Sequence, residues 1–260
     1  MGIQHVNYTF AMTSASLTTK HAPSTFWSNT AHVIVIICVL GFLALTTLGM
    51  GIYPGGTDAD RTTVGYRFFT NYFSDLGRTV ARNGAPNGIA SSLFTLAMTC
   101  AGSGLALFFI AFAQRFVRPR WVHIVSQVGM VLGILAGACF IGVGLTPSNL
   151  YGPPHQMFTL GGFVMFFLTT VLFIAAIAGS RNYPHRAVLI FILFAILLAA
   201  YIWLQFKGPR GRTFDATLIQ ATGQKAIVYA SVLSVLVQAL VARQVNHAQD
   251  ETFTNGRLSD

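Results

Sequence analysis

Six long apolar runs, separated by polar links, dominate the pattern along the chain. Each run is close to the ~20 residues that a helix needs to cross the hydrocarbon core of a bilayer, and none contains Asp, Glu, Lys or Arg. In lipid the backbone must satisfy its own hydrogen bonds, so continuous runs of this length indicate helices. The predicted spans are 31–52, 89–112, 122–145, 157–178, 187–206 and 226–242.

This pattern predicts an all-α integral membrane protein, a six-transmembrane-helix bundle that occupies residues 26–243. The segment 1–25 is polar and rich in Ser and Thr, which is typical of a mobile tail. Residues 244–260 form a second polar tail.

The long link between the first two spans contains a second periodic pattern. Apolar residues recur there every four positions, with Arg residues between them, as on one stripe of a helix. We therefore expect an interfacial amphipathic helix lying along the membrane surface, which Gly77 should end or bend. The apolar positions are Val64, Phe68, Phe69, Tyr72, Phe73, Leu76 and Val80, and the basic ones are Arg61, Arg67, Arg78 and Arg82.

Three glycines of the third span repeat at a spacing of four residues. Gly129, Gly133 and Gly137 therefore fall on one helix face, where a neighbouring backbone can approach closely. We interpret this face as a helix-packing surface.

Composition agrees with a membrane protein. Of the 260 residues, 53% are hydrophobic and only 9% are charged, whereas a soluble domain has about 25% charged residues. The net charge of +9 could suggest nucleic acid, but the basic residues lie in links between apolar runs. That distribution is typical of residues that face lipid headgroups, so we predict no nucleic-acid partner.

Basic residues in short links indicate the orientation. Arg115, Arg118 and Arg120 occupy the link between the second and third spans, whereas the link 146–155 has no Lys or Arg. By the positive-inside rule, this difference places both termini in the cytoplasm. The two long links also carry basic residues, so counting every charge gives nearly a tie.

Several polar residues should share the opposite, outer edge of the membrane, because spans two, four and six all begin there. Helix N-termini together with Lys225 would suit an anion such as a lipid phosphate or carboxylate, and Asp75 could pair with Lys225 or orient His155. The alternative is that these residues only cap helices where they leave the membrane. The candidate outer polar pocket consists of Ser74, Asp75, Asn87, His155, Gln224 and Lys225.

The candidate pocket does not specify a reaction. A catalytic zinc site needs about three protein ligands, and this edge offers only Asp75 and His155. Cys38, Cys100 and Cys139 are too far apart in the sequence for a zinc or redox motif. We predict no cofactor and no metal site, and no catalytic residue stands out.

Two function classes remain open. The first is a non-catalytic accessory or lipid-binding subunit of a membrane assembly, whose partners are membrane lipids and other membrane-protein subunits. The second is a lipid-modifying membrane enzyme that uses Asp75 and His155. A transporter is less favoured, since the spans lack charges and an inverted repeat.

Short motifs spread over the chain resemble a known family. They are NYFSDLG at 71–77, APN at 85–87, GVGLTP at 142–147, His155, and GQK at 223–225. Together they resemble bacterial six-helix membrane proteins, classified only as a domain of unknown function and similar to the Frag, DRAM and Sfk type. One departure is SNLYGPP after Pro147, where the family pattern has an acidic residue.

The resemblance implies six helices in the bacterial inner membrane, with cytoplasmic termini and the SDLG segment outside. Related eukaryotic proteins are linked to lipid remodelling, phosphoinositide signalling and autophagy, as modulators more than as catalysts. The missing acidic residue removes one potential ligand from any metal site in this chain.

Overall fold

The computed structural model describes residues 29–180 and 183–257, with side-chain surroundings up to residue 245. The predicted tail 1–25 lies outside the described residues. Within them, six helices are long and apolar enough to cross a membrane, which confirms the predicted six-helix bundle. Their bounds are α1 Ala31–Ile52, α2 Gly88–Ala113, α3 Arg120–Leu145, α4 Gly152–Gly179, α5 Val188–Lys207 and α6 Phe214–Arg257.

Helices that follow one another in the chain also pack against one another. The most extensive interfaces join α2 to α3, α3 to α4 and α1 to α2, while α5 packs less extensively on α4 and α6. A smaller interface between α6 and α1 closes the ring. Helix α2 is the most buried of the six, which fits its position between two large interfaces.

Glycines allow the close approach of α2 and α3. A Cβ atom built on Gly102 would clash with the carbonyl of Gly137, and one built on Gly137 would clash with the carbonyl of Gly102. One turn away, Gly133 packs directly against the ring of Phe109. Gly129 faces α4, where an added Cβ would lie 3.0 Å from the ring of Phe173. All three glycines of the predicted packing face therefore lie at contacts between helices.

Phenylalanine rings fill the core at one end of the bundle. Phe108 and Phe112 stack with centroids 5.1 Å apart, and Phe109 stacks on Phe173 at 5.3 Å. Phe112 also meets Tyr183 edge-on at 5.4 Å. Such pairs contribute about 0.5–1.5 kcal/mol of stability each beyond the burial of their area. They therefore stabilise the packing of the end of α2 against α4 and against the residues at the start of α5.

The predicted interfacial helix is wrong. Residues 53–87 form turns and bends, with two isolated antiparallel bridges, Gly55 to Val64 and Val80 to Pro86, and a single 3-10 turn, Phe73–Asp75. Val64 is 78% exposed, whereas Leu76, from the same predicted stripe, is fully buried. The apolar positions therefore do not share one face.

Local side-chain hydrogen bonds and glycines explain this difference. The Asn71 side chain accepts from the backbone N–H of Arg67, and the Asp75 carboxylate accepts from that of Tyr72. Such bonds compete with the hydrogen bonds of a helix. Gly65 adopts a φ of 68° and Gly84 a φ of 90°, which break any helix at both ends of the stripe.

The predicted beginning of the sixth span is also wrong. Helix α6 begins at Phe214, so Gln224 and Lys225 do not open it but lie about three turns inside it. The apolar run in the sequence begins only after Lys225, and a charged residue is costly inside a membrane helix, so the pattern predicts a later start. At its other end, α6 continues through the predicted polar tail to Arg257.

Candidate functional site

Residues 53–87 form a folded cover over one end of the bundle, which we call the roof. Its central carboxylate belongs to Asp75, whose side chain is 1% exposed. One carboxylate oxygen accepts from Nε of Arg82 at 2.8 Å, and the other accepts from Nδ2 of Asn71 at 3.0 Å. Arg82 also donates to Asp58 at 2.7 Å. A buried carboxylate is thus both paired and hydrogen-bonded.

The opposite charges of this network stabilise each other. Burial lowers the pKa of the Arg82 guanidinium, but the neighbouring carboxylates of Asp75 and Asp58 more than offset that effect, so the net shift is upward. Arg82 is therefore a permanent cation in the roof. Its backbone N–H also donates to the hydroxyl of Tyr53 at 3.0 Å.

One buried tyrosine, Tyr53, and two half-buried ones, Tyr66 and Tyr72, surround the network. Burial, reinforced by the charge of Asp75, raises the pKa of Tyr53 to about 12. The pKa of Tyr72 rises to about 12 through burial and the nearby Asp58 and Asp75, and burial also raises the pKa of Tyr66. Their hydroxyls stay protonated at neutral pH, as in the hydrogen bond from Tyr66 to the carbonyl of Tyr72 at 3.1 Å.

Lys225 connects α6 to the roof. Its side chain is 2% exposed, and its ammonium donates to the backbone carbonyl of Asn71. The rings of Tyr66 and Phe68 each have their centroid 5.3 Å from the ammonium, within the range of a cation–π interaction. Lys225 and Asp75 therefore meet through Asn71, which bonds both.

Three further contacts seat the roof on the helices. Gln224 accepts from the backbone N–H of Phe73 at 2.7 Å. Asn87, just before α2, donates to the carbonyls of Leu76 and Arg78 at 3.0 and 2.7 Å. Asn149, before α4, bonds the backbone and the hydroxyl of Thr79. The starts of α2 and α4 and the early part of α6 thus lie at one end of the bundle.

A cavity of about 100 Å³ lies beneath the roof, between α1, α2, α3, α4 and α6. Ser74 and Phe73 line it from the roof, and Gln224 and Ser231 from α6. Its walls are otherwise mostly aromatic or aliphatic. The remaining lining residues are Phe42, Phe94, Met98, Ala101, Phe140, Val143, Thr159, Phe163, Val228 and Val232.

A second cavity, of about 70 Å³, lies next to the first and nearer the middle of the bundle. Both cavities are lined by Phe42, Ala101, Phe140, Ser231 and Val232. We call the two together the cleft, with an upper chamber below the roof and a lower chamber reaching Cys38, Gly104 and Val235. For comparison, an apolar protein cavity of about 150 Å³ holds one benzene molecule.

The structure divides the six residues of the predicted pocket among three places. Ser74 and Gln224 line the upper chamber. Asp75, Lys225 and Asn87 hold the roof together and onto the helices. His155 lies on α4, where its Nδ1 is 2.7 Å from the carbonyl of Thr146.

The hydrogen bonds of Asp75 and His155 do not join them. Both Asp75 oxygens bond roof residues, and the His155 ring bonds the backbone at the end of α3. Within 29–180 and 183–245, no group of three or more His, Cys, Asp or Glu residues could hold a metal ion. Asp75 is therefore held within the roof, and the ring of His155 at the end of α3.

Sequence reasoning missed Asn71, Arg82 and Tyr66. The periodic pattern places Arg82 on the polar face of a helix that does not form, and Asn71 enters only as the first residue of the NYFSDLG segment. An Asn four residues before an Asp, both able to bond nearby backbone N–H groups, was the available signal for a folded loop.

Comparison with known proteins gives no relative: no family model, no curated protein and no solved structure matches this chain. The resemblance to bacterial six-helix membrane proteins of the Frag, DRAM and Sfk type therefore stays a prediction.

Proposed function

We propose that this protein is a non-catalytic membrane protein that holds the hydrocarbon part of a lipid in its cleft, beneath the roof. The observation that carries the proposal is the cleft itself, two cavities that share five lining residues and have a mostly aromatic and aliphatic lining. Interiors are normally packed with few voids larger than a water molecule. An apolar cleft of this size suits a hydrophobic occupant better than water, which needs polar partners.

The borders of the cleft offer lipid a route. Val39 of α1 and Val235 of α6 both line the lower chamber, and the α1–α6 interface is much less extensive than that between α1 and α2. A hydrocarbon chain could therefore enter sideways from the bilayer along this seam. Membrane lipids are the proposed ligands, and a role as an accessory subunit of other membrane proteins accords with such lipid binding.

The alternative of a lipid-modifying enzyme at Asp75 and His155 receives no support from their contacts. A general base must reach the proton that it removes, directly or through one water. Asp75 is already bound by Arg82 and Asn71, and its side chain is almost fully buried.

Filling the cleft should abolish lipid retention. Ala101 lines both chambers, so the ring of Ala101→Phe would occupy the space between them. We expect lipid that co-purifies with the wild-type protein after mild extraction, measured by native mass spectrometry, to fall at least about tenfold, a loss of ~1.4 kcal/mol in binding.

Ala200→Phe is the matched control, because Ala200 is exposed on α5 and α5 does not line the cleft. This variant should keep its lipid. Equal retention by both variants would contradict the proposal, and so would a wild-type protein that carries no lipid.

We further propose that both termini are cytoplasmic, in a bacterial inner membrane, so that the roof faces outward. In a variant without the three native cysteines, an impermeant thiol reagent added to intact cells should label Leu150→Cys but not Arg118→Cys. Both positions are exposed and lie at opposite ends of α3. Labelling at 118 alone would reverse the orientation while leaving the cleft proposal untouched.

A further inference from the structure

We infer that the lipid held in the cleft is an uncharged single-chain amphiphile, whose oxygen-bearing head lies between Ser74 and Gln224. This inference rests on the proposed lipid-binding function and adds the chemical class of the ligand. It follows from the polarity of the upper chamber, from the placement of nearby charges and from the volume of the cleft.

Every polar residue that lines the cleft is neutral. The upper chamber has Ser74, Thr159, Gln224 and Ser231, and the part of the lower chamber that the structure describes adds only the thiol of Cys38. Moving an ion out of water without a partner costs several kcal/mol. A charged head inside the upper chamber would meet no counter-charge among these lining residues.

The charged residues that directly follow Ser74 and Gln224 in the sequence form their hydrogen bonds with roof residues. Lys225 follows Gln224, but its ammonium bonds Asn71 between the rings of Tyr66 and Phe68. Asp75 follows Ser74, but its oxygens bond Arg82 and Asn71. In each of these two adjacent pairs, the neutral residue lines the cleft and the charged residue bonds within the roof.

The neutral groups leave hydrogen-bonding capacity for a ligand. The Gln224 oxygen accepts from the backbone N–H of Phe73, and that donor fixes which end of the amide carries the oxygen. Of the two amide N–H donors, Tyr201 lies close enough to take one. No hydrogen bond among the described residues engages the Ser74 hydroxyl. An ester or hydroxyl oxygen between these two groups would give each of them a hydrogen-bond partner.

By contrast, the other two hydroxyls that line the cleft already donate hydrogen bonds to carbonyls of their own helices. Thr159 donates to the carbonyl of His155 at 2.8 Å, and Ser231 donates to that of Ile227 at 2.8 Å. The recognition of a head is therefore concentrated at the roof end, and the rest of the cleft contacts a chain. The two chambers, of about 70 and 100 Å³, are each smaller than the ~150 Å³ cavity that holds one benzene molecule, so they have room for a segment of one chain and not for two chains side by side.

The test uses the full-length protein in nanodiscs of phosphatidylcholine, with four probes that share one chain. The probes are hexadecane, hexadecanol, hexadecyl sulfate and hexadecyltrimethylammonium, and retention is measured by mass spectrometry after washing. We expect hexadecanol to bind most tightly, at least about tenfold more tightly than either ion, which corresponds to one or two hydrogen bonds and an avoided burial of charge.

Ser74→Ala tests the head contact, because among the described residues the Ser74 hydroxyl forms no hydrogen bond that seats the roof. It should reduce hexadecanol binding about fivefold, the effect of one hydrogen bond, without changing hexadecane binding, which thereby reports that the cleft remains intact. Gln224→Met removes the amide of the head contact and also the acceptor of the Phe73 N–H, so it should lower hexadecanol binding more than hexadecane binding.

Three results would overturn the inference. Equal binding of hexadecanol and hexadecane would show that the head is not recognised, and tightest binding of hexadecyl sulfate would point to an anionic head at the exposed arginines of the roof. Tightest binding of the ammonium probe would point to a cationic head. In each case the chain is still held, so the proposed function stands. If no probe binds better to the wild type than to Ala101→Phe, the proposed function fails as well.

Discussion

Replacing Arg82 with methionine should open the roof. The substitution leaves the carboxylate of Asp75 buried with its cationic partner removed, and breaking such a pair typically costs about 3–5 kcal/mol. Each 1.4 kcal/mol changes an equilibrium tenfold. We therefore expect the rate at which a protease cuts within 53–87 to rise by about two orders of magnitude or more, measured on the purified protein in detergent.

Arg61→Met is the matched control, because Arg61 is exposed and makes no ion pair among the described residues. Exposed charge contacts contribute at most about 1 kcal/mol, so its cutting rate should change little. Adding Asp75→Asn to Arg82→Met removes the uncompensated charge and should recover part of the loss. Equal cutting rates for the two single variants would mean that the Asp75–Arg82 pair does not hold the roof.

Gly137→Ala should be among the most damaging substitutions in the bundle, although alanine is ordinarily the better helix former by about 1 kcal/mol. The new methyl group would clash with the carbonyl of Gly102, which is backbone and cannot rotate away. Overpacking typically costs about 1–3 kcal/mol, and more where the structure cannot relax. We expect a clear fall in the thermal unfolding temperature in detergent.

Gly41→Ala supplies the control in α1, where a Cβ meets nothing within 4 Å. It should leave the unfolding temperature unchanged or raise it, through helix propensity alone. Gly129→Ala should fall between the two, because its Cβ would meet the side chain of Phe173 at 3.0 Å, which can shift slightly. If Gly137→Ala is as stable as Gly41→Ala, the close approach of α2 and α3 is not needed.

The six spans could be predicted because the signal for a membrane helix is local. An apolar run of sufficient length specifies a helix whatever its neighbours are, and five of the six predicted runs match their helices closely. The first turns of α6 were missed because the sequence from Phe214 to Lys225 is less apolar and ends at a charge. Lys225 is tolerated there because the carbonyl of Asn71 and two aromatic rings receive its ammonium.

The roof could not be predicted from periodicity, because its conformation depends on distant partners. Phe73 is held by Gln224, and Thr79 by Asn149, and neither partner can be inferred from a window around 53–87. The cleft is even harder to predict from the sequence, because it is the space left between five helices and the roof. Two residues of the predicted pocket, Ser74 and Gln224, line the upper chamber, although Gln224 lies inside α6 and not at its start.

The bonds from Gln224 and Lys225 to the roof also constrain how the protein is made. They join residues that are 151 and 154 positions apart in the chain, so residues 53–87 leave the ribosome long before their last supports do. The roof segment therefore waits, without its α6 contacts, while four further helices are synthesised. Completion of the roof is thus tied to synthesis of the final helix, and a chain truncated before Gln224 would present an unfinished roof.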